Sequence, residues 1–176
     1  MNFLMYVGSA YGLLSEAFAE EAWPKLRNPE QVEDYAQLRN QWEEFWEQST
    51  YVKANAKREN RDELIIDPPE FSRITQPDLK AALITLWPSF SAWWNMPAGG
   101  QVAMQYWDNQ MDVLTIAQQY EAQVGRPMKP FQLHIDLVYT GLREPLEVNE
   151  QFVIMPLGTR FIMNNEWWMQ KFIELG

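Results

Sequence analysis

The apolar residues of this chain change period at Pro130, from steps of three and four before it to steps of two after it. Steps of three and four return a side chain to the same face of a helix, and steps of two to the same face of a strand, so the switch predicts a helical portion followed by a sheet. Phe131, Leu133, Ile135, Leu137 and Tyr139 alternate with Gln132, His134, Asp136, Val138 and Thr140, the pattern of a strand with one buried and one solvated face. Residues 152–155 and 160–163 flank Pro156, Leu157, Gly158 and Thr159 and read as a hairpin, and residues 166–175 read as a last short helix capped by Asn164 or Asn165. The expected class is α+β: helices mostly in the N-terminal two thirds, packed on a small antiparallel sheet of three or four strands in the C-terminal third. A length of 176 residues suits a single domain, 1–176.

Within the helical portion, residues 3–7 read as a short strand ended by Gly8 and Ser9. Tyr11, Leu14, Phe18 and Ala22 then form one stripe of a helix that closes before Pro24. The clearest helix begins at Pro29, since proline is tolerated in a first turn. Val32, Tyr35, Leu38, Trp42, Phe45, Trp46 and Ser49 trace its buried face, and the pattern extends to about Lys57. Thr75, with Asp78 three residues later, predicts a capped helix start; Leu79, Ala82, Leu83 and Leu86 supply its buried stripe, and Pro88 predicts a kink or an end, with residues 90–94 a short helical continuation. Residues 95–100, with Pro97, Gly99 and Gly100, predict a loop. Residues 101–124 then predict one helix with Val102, Tyr106, Val113, Ala117, Tyr120 and Val124 inward, closed by Gly125 with Pro127 beyond.

Composition narrows the function. Nine tryptophans accompany one histidine and no cysteine, which leaves little of the imidazole and thiolate chemistry that catalysis and metal binding draw on. Acids outnumber bases 24 to 14, for a net charge of −10, so nucleic acid and anionic membranes are poor partners and a basic protein is favoured. No apolar stretch reaches the roughly 18 residues needed to cross a bilayer. Ala17, Phe18 and Ala19 before Glu20 resemble a cleavage site, which would start a mature chain at Glu20. However, no Lys or Arg precedes Lys25 and Glu16 lies just before the site, so the expected location is the cytoplasm.

Four arrangements merit a functional reading. His134 and Asp136, two apart on a strand, share a face on which a carboxylate could orient an imidazole, but no nucleophile motif accompanies them and polar alternation is what a solvated strand face carries. Asp108 and Asp112, four apart on a helix, suit a divalent cation or equally a hydrated surface pair. Glu30, Glu33, Asp34, Glu43, Glu44 and Glu47 against Arg39 leave −5 between positions 30 and 47, half the charge of the chain. That concentration suits a docking face for a basic partner, although Lys53, Lys57, Arg58 and Arg61 follow it, and acids early with bases late also complement a helix dipole. Finally, Trp42 and Trp46 lie on the buried stripe, whereas the adjacent pairs Trp93-Trp94 and Trp167-Trp168 point about 100° apart on a helix, so one of each pair is left toward the surface as an anchor or as a lid over a wide core.

The expectation is therefore a non-catalytic acidic protein without metal or cofactor that neutralises or escorts a basic protein. An immunity protein against a toxin effector domain is the most concrete form, with Glu43, Glu44, Glu47, Trp93, Trp94 and Trp167 as contact residues. The alternative is a carboxylate-dependent hydrolase or carbohydrate-binding protein that stacks sugars on tryptophan, which requires two carboxylates facing one pocket at roughly 5 to 10 Å.

Overall fold

The computed structural model describes residues 1–14, 23, 34–56, 66–105 and 112–176. These residues form six helices and three strands: α1 Asn2–Ala10, α2 Tyr35–Asn55, α3 Pro77–Trp94, α4 Gly100–Gln105, α5 Val113–Val124, β1 His134–Val138, β2 Leu146–Asn149, β3 Phe152–Pro156 and α6 Asn165–Leu175. The class is α+β with most helices first. The sheet has order β1-β3-β2 and is mixed rather than antiparallel, because β1 runs parallel to β3 (His134 opposite Phe152) while β2 is antiparallel to it.

The central strand explains this arrangement. All five residues of β3 are buried, and successive side chains enter different cores. Phe152 and Ile154 join the larger core with α1, α2 and α3, and Val153 and Met155 join a second core with α5 and α6. Parallel pairing requires a sheet covered on both faces, and helices on either side supply that cover. A continuous apolar run, not an alternating one, is the sequence mark of such a strand.

Several local expectations change. Residues 3–7 are the middle of helix α1, with all five side chains buried. A short apolar run does not distinguish a buried strand from a helix buried all round, and here the helix wins. The turn continues through Gly8, where a Cβ would lie 2.6 Å from Leu14 Cδ2 and 2.7 Å from Trp42 Cζ2, so only glycine lets α2 approach so closely. Phe18 and Ala22 of the expected stripe lie outside the described residues, as do Pro29 and Val32. Helix α2 is described from Tyr35, behind an Asp34 cap whose carboxylate accepts from Gln37 N at 2.9 Å, and it ends at Asn55, short of Lys57.

Thr75 does not cap α3. Gln41 of α2 does so from outside: its Oε1 accepts from Asp78 N at 3.1 Å and Leu79 N at 3.0 Å, while its Nε2 donates to Asp78 Oδ2 at 2.8 Å. Helix α3 then runs through Pro88 to Trp94 without ending. Pro88 is exposed, so water can serve the backbone carbonyl that proline leaves unbonded. The single helix expected over residues 101–124 is two, because Asp112 starts a new one by accepting from Thr115 N at 3.1 Å; Tyr106 lies outside the described residues. Gly125 closes α5 in the left-handed region at φ 69°, as its position predicts.

In the sheet, the hairpin joins β2 to β3, and residues 157–162 form a 3-10 turn instead of a loop between strands. The strand expected over residues 131–139 is β1, limited to residues 134–138. Asn164 caps α6 by accepting from Trp167 N at 3.0 Å, as expected.

Candidate interaction surface

Helix α2 buries one arc, joined toward its C-terminal end by Thr50 and Ala54, and exposes the opposite one. Leu38, Trp42, Phe45, Trp46 and Ser49 are buried; the Trp42 and Trp46 rings stack at 5.7 Å, and Trp42 Nε1 donates to Leu4 O at 2.9 Å. Nine steps of about 100° make half a turn, so Tyr51 faces directly away from Trp42. Their exposures follow: Trp42 is 1% exposed and Tyr51 68%. Glu44 and Glu47 flank Tyr51 on this outer arc and Glu43 lies at its margin; all three are exposed, as is Val52.

The bases of α2 are turned elsewhere. Arg39 donates to Gly12 O at 3.3 Å and to the Tyr35 hydroxyl at 3.2 Å, with its guanidinium 5.4 Å from the Tyr35 ring. Lys53 reaches under the helix to Asp136 of β1 at 2.7 Å. Among the described residues no ion pair involves Glu43, Glu44 or Glu47. Glu30, Glu33, Lys57, Arg58 and Arg61 lie outside the described residues, so the acidic surface consists here of the outer arc of α2.

The tryptophans expected as anchors are not gathered on that arc. Trp93 and Trp94, at the end of α3, are half-buried against the larger core: Trp93 lies edge-on to Tyr139 at 5.0 Å and Trp94 stacks on Phe90 at 5.3 Å. Both indoles close over Gly100, where a Cβ would come within 2.6 Å of each ring. Trp167, on α6, is half-buried against the second core, across the sheet from Trp93 and Trp94. Its ring stands edge-on to Trp168 at 5.0 Å, and the Lys171 ammonium lies 5.6 Å from its centre. Tyr51 is the exposed aromatic that shares a face with the glutamates. The sequence held its signal, since counting nine positions from a core tryptophan finds it.

His134 and Asp136 do not face solvent as a lone strand would suggest. Both point to the layer of α2: His134 stacks on Phe152 at 5.3 Å, and Asp136 is held by Lys53. Asp112 is engaged as a helix cap, and Asp108 lies outside the described residues. Lys171, at 3% side-chain exposure, was not foreseen; it donates to Glu147 at 2.8 Å and Glu174 at 2.9 Å, tying α6 to β2. Burial pulls the ammonium down, but the hydrogen bonds and charges of these two carboxylates outweigh it and leave its pKa raised. Among the described residues no three His, Asp or Glu side chains gather as a metal site requires, and no described helix is long and apolar enough to cross a membrane. No family model matches the chain, and neither a characterised protein nor a solved structure matches it.

Proposed function

We propose that this chain is a non-catalytic binding protein that neutralises or escorts a basic protein partner, most concretely as an immunity protein against a toxin effector that acts on nucleic acid in the cytoplasm. The observation that carries this reading is the outer arc of α2. Glu43, Glu44 and Glu47 stand exposed and unpaired among the described residues, beside an aromatic ring 68% exposed, while the nearby bases are committed to other contacts. An enzyme or toxin that handles phosphates carries a basic site, and an acidic face steers encounter with it while a large amphipathic ring supplies short-range contact.

Recovery of the partner from the native host, followed by binding kinetics at low and high salt, tests this. Reversing Glu43, Glu44 and Glu47 to Lys should slow association by about ten- to a hundredfold at low salt and remove most of its salt dependence, with less change in dissociation. Tyr51→Ala should chiefly speed dissociation. Recovery of no protein partner, together with turnover of a small molecule or glycan by the purified chain, would refute the proposal.

A further inference from the structure

Tyr51 presents its ring to solvent at 68% exposure, on the arc of α2 opposite the core. Helical side chains lean toward the N-terminus, so the ring inclines toward the preceding turn, where Glu47 lies about 40° away around the axis. Glu44 lies about 20° away on the other side, a further turn along, so the three residues share a strip about 10 Å long. The described bases nearest to this strip are engaged elsewhere, Arg39 with Gly12 O and Tyr35, and Lys53 with Asp136. We propose that Tyr51, Glu47 and Glu44 form a recognition site for an arginine side chain, which rests on the reading of this arc as the docking face for a basic protein. The guanidinium lies on the Tyr51 ring and donates from its edge to the carboxylates.

Charge complementarity asks for a cation, and the ring selects which one. A guanidinium is planar and weakly hydrated, so it can stack on an aromatic face while its N–H edge still meets a carboxylate. A lysine ammonium is a strongly hydrated point charge without that flat face, and it gains less from the ring. The same helix already makes the contact within the chain: the Arg39 guanidinium lies 5.4 Å from the centre of the Tyr35 ring and donates to its hydroxyl at 3.2 Å, although Tyr35 is 44% exposed. Glu44 and Glu47, three residues apart, repel each other, and a cation placed between them relieves that repulsion. A metal ion is a poorer occupant, because among the described residues no three His, Asp or Glu side chains gather as its ligands.

The test titrates the full chain with two capped Gly-Ser peptides of equal length and charge, one carrying arginine and the other lysine at the same positions. Calorimetry measures the affinities, and nuclear magnetic resonance follows the Tyr51 ring protons. The arginine peptide should bind about three- to tenfold more tightly and move the Tyr51 resonances. Tyr51→Ala should bring the two peptides within about twofold of each other, whereas Tyr51→Phe, which keeps the π face and loses the hydroxyl, should retain the preference. Glu47→Gln should weaken the arginine peptide more than the lysine peptide. Equal affinities, binding of neither peptide, Tyr51 resonances that do not move, or a preference that survives in folded Tyr51→Ala would each overturn the proposal. These outcomes are separable from failure of the docking reading itself, because the titration needs no native partner: a partner that binds through Glu43, Glu44 and Glu47 without any preference for arginine would refute the arginine site alone.

Discussion

Replacement of Trp42 by alanine tests the architecture at the point where α1 and α2 meet. The indole is 1% exposed, stacks on Trp46, seats against Gly8 and donates to Leu4 O. A buried tryptophan hides about 200 Å². At about 25 cal/mol per Å² this is about 5 kcal/mol, which falls to about 3 to 4 kcal/mol once alanine's share and compaction of the unfolded chain are removed. The lost hydrogen bond adds about 1 kcal/mol; Leu4 O can still be served by its own helix, so no large penalty for a stranded carbonyl follows. The total of about 4 to 5 kcal/mol lies within the range measured for aromatic truncation in cores. For a chain of this length it should lower the melting temperature by about 8 to 20 °C. Thermal melts followed by near-ultraviolet circular dichroism, with denaturant titration as a check, measure it. Tyr51→Ala, on the opposite face of the same helix, is the control and should change stability by less than about 0.5 kcal/mol. A Trp42→Ala variant that melts within about 2 °C of wild type would refute the assignment of this face to the core.

Gln41→Ala should destabilise by about 1 to 2 kcal/mol in chemical denaturation, because it strips the two amides at the start of α3 of their shared acceptor. The Lys171 cluster gives a pH dependence. Hydrogen bonds from Gln170 and Lys171 hold Glu174 below its ordinary value, so the unfolded chain binds the more protons there; this stability is present above about pH 4.5 and is lost as pH falls through the folded value. The raised Lys171 behaves oppositely, its contribution fading only as pH climbs above about 10.5; Glu174→Gln should flatten the acid limb of melting temperature against pH. His134→Ala should retain partner neutralisation, since its ring lies on Phe152 and the sequence carries no nucleophile motif to accompany it; a folded variant without that effect would favour the enzyme reading. Glu47→Gln relieves like-charge neighbours three and four residues away, so it should stabilise by a few tenths of a kcal/mol at low salt, an increment that shrinks as salt is added, while association with the partner slows.

Whether an element was legible from sequence depended on whether its surroundings were local. The buried arc of α2 is written in the spacing of Leu38, Trp42, Phe45, Trp46 and Ser49, and the cap at Asn164 lies within three residues of the amide it serves; the Asp112 cap is equally local, but the apolar spacing around it reads as one continuous helix and hides it. The α1 segment lacks such a signal, because a helix buried on all sides shows no periodicity to read. The strand β3 was legible as a strand over residues 152–155, but not in its pairing: with both faces covered, its run of apolar residues carries neither the pairing direction nor the partner. The cap on α3 comes from Gln41, some forty positions away, so Thr75 was the best local candidate and the wrong one.

The surface of α2 shows the same division. The glutamates and their density are plain in the sequence, but whether a charge is compensated depends on where the bases go, and that is a tertiary fact. Arg39 is drawn to the end of α1 and Lys53 to β1, so the residues that could have neutralised the arc contribute to the fold instead. Glu43 and Glu44 each sit three or four residues from Glu47, and such like-charged neighbours weaken a helix slightly. The helix tolerates this because its stability comes from the opposite arc, where Trp42 and Trp46 are buried. An amphipathic helix anchored on one side can thus hold uncompensated charge on the other, and the proposed contact with a basic partner requires that separation.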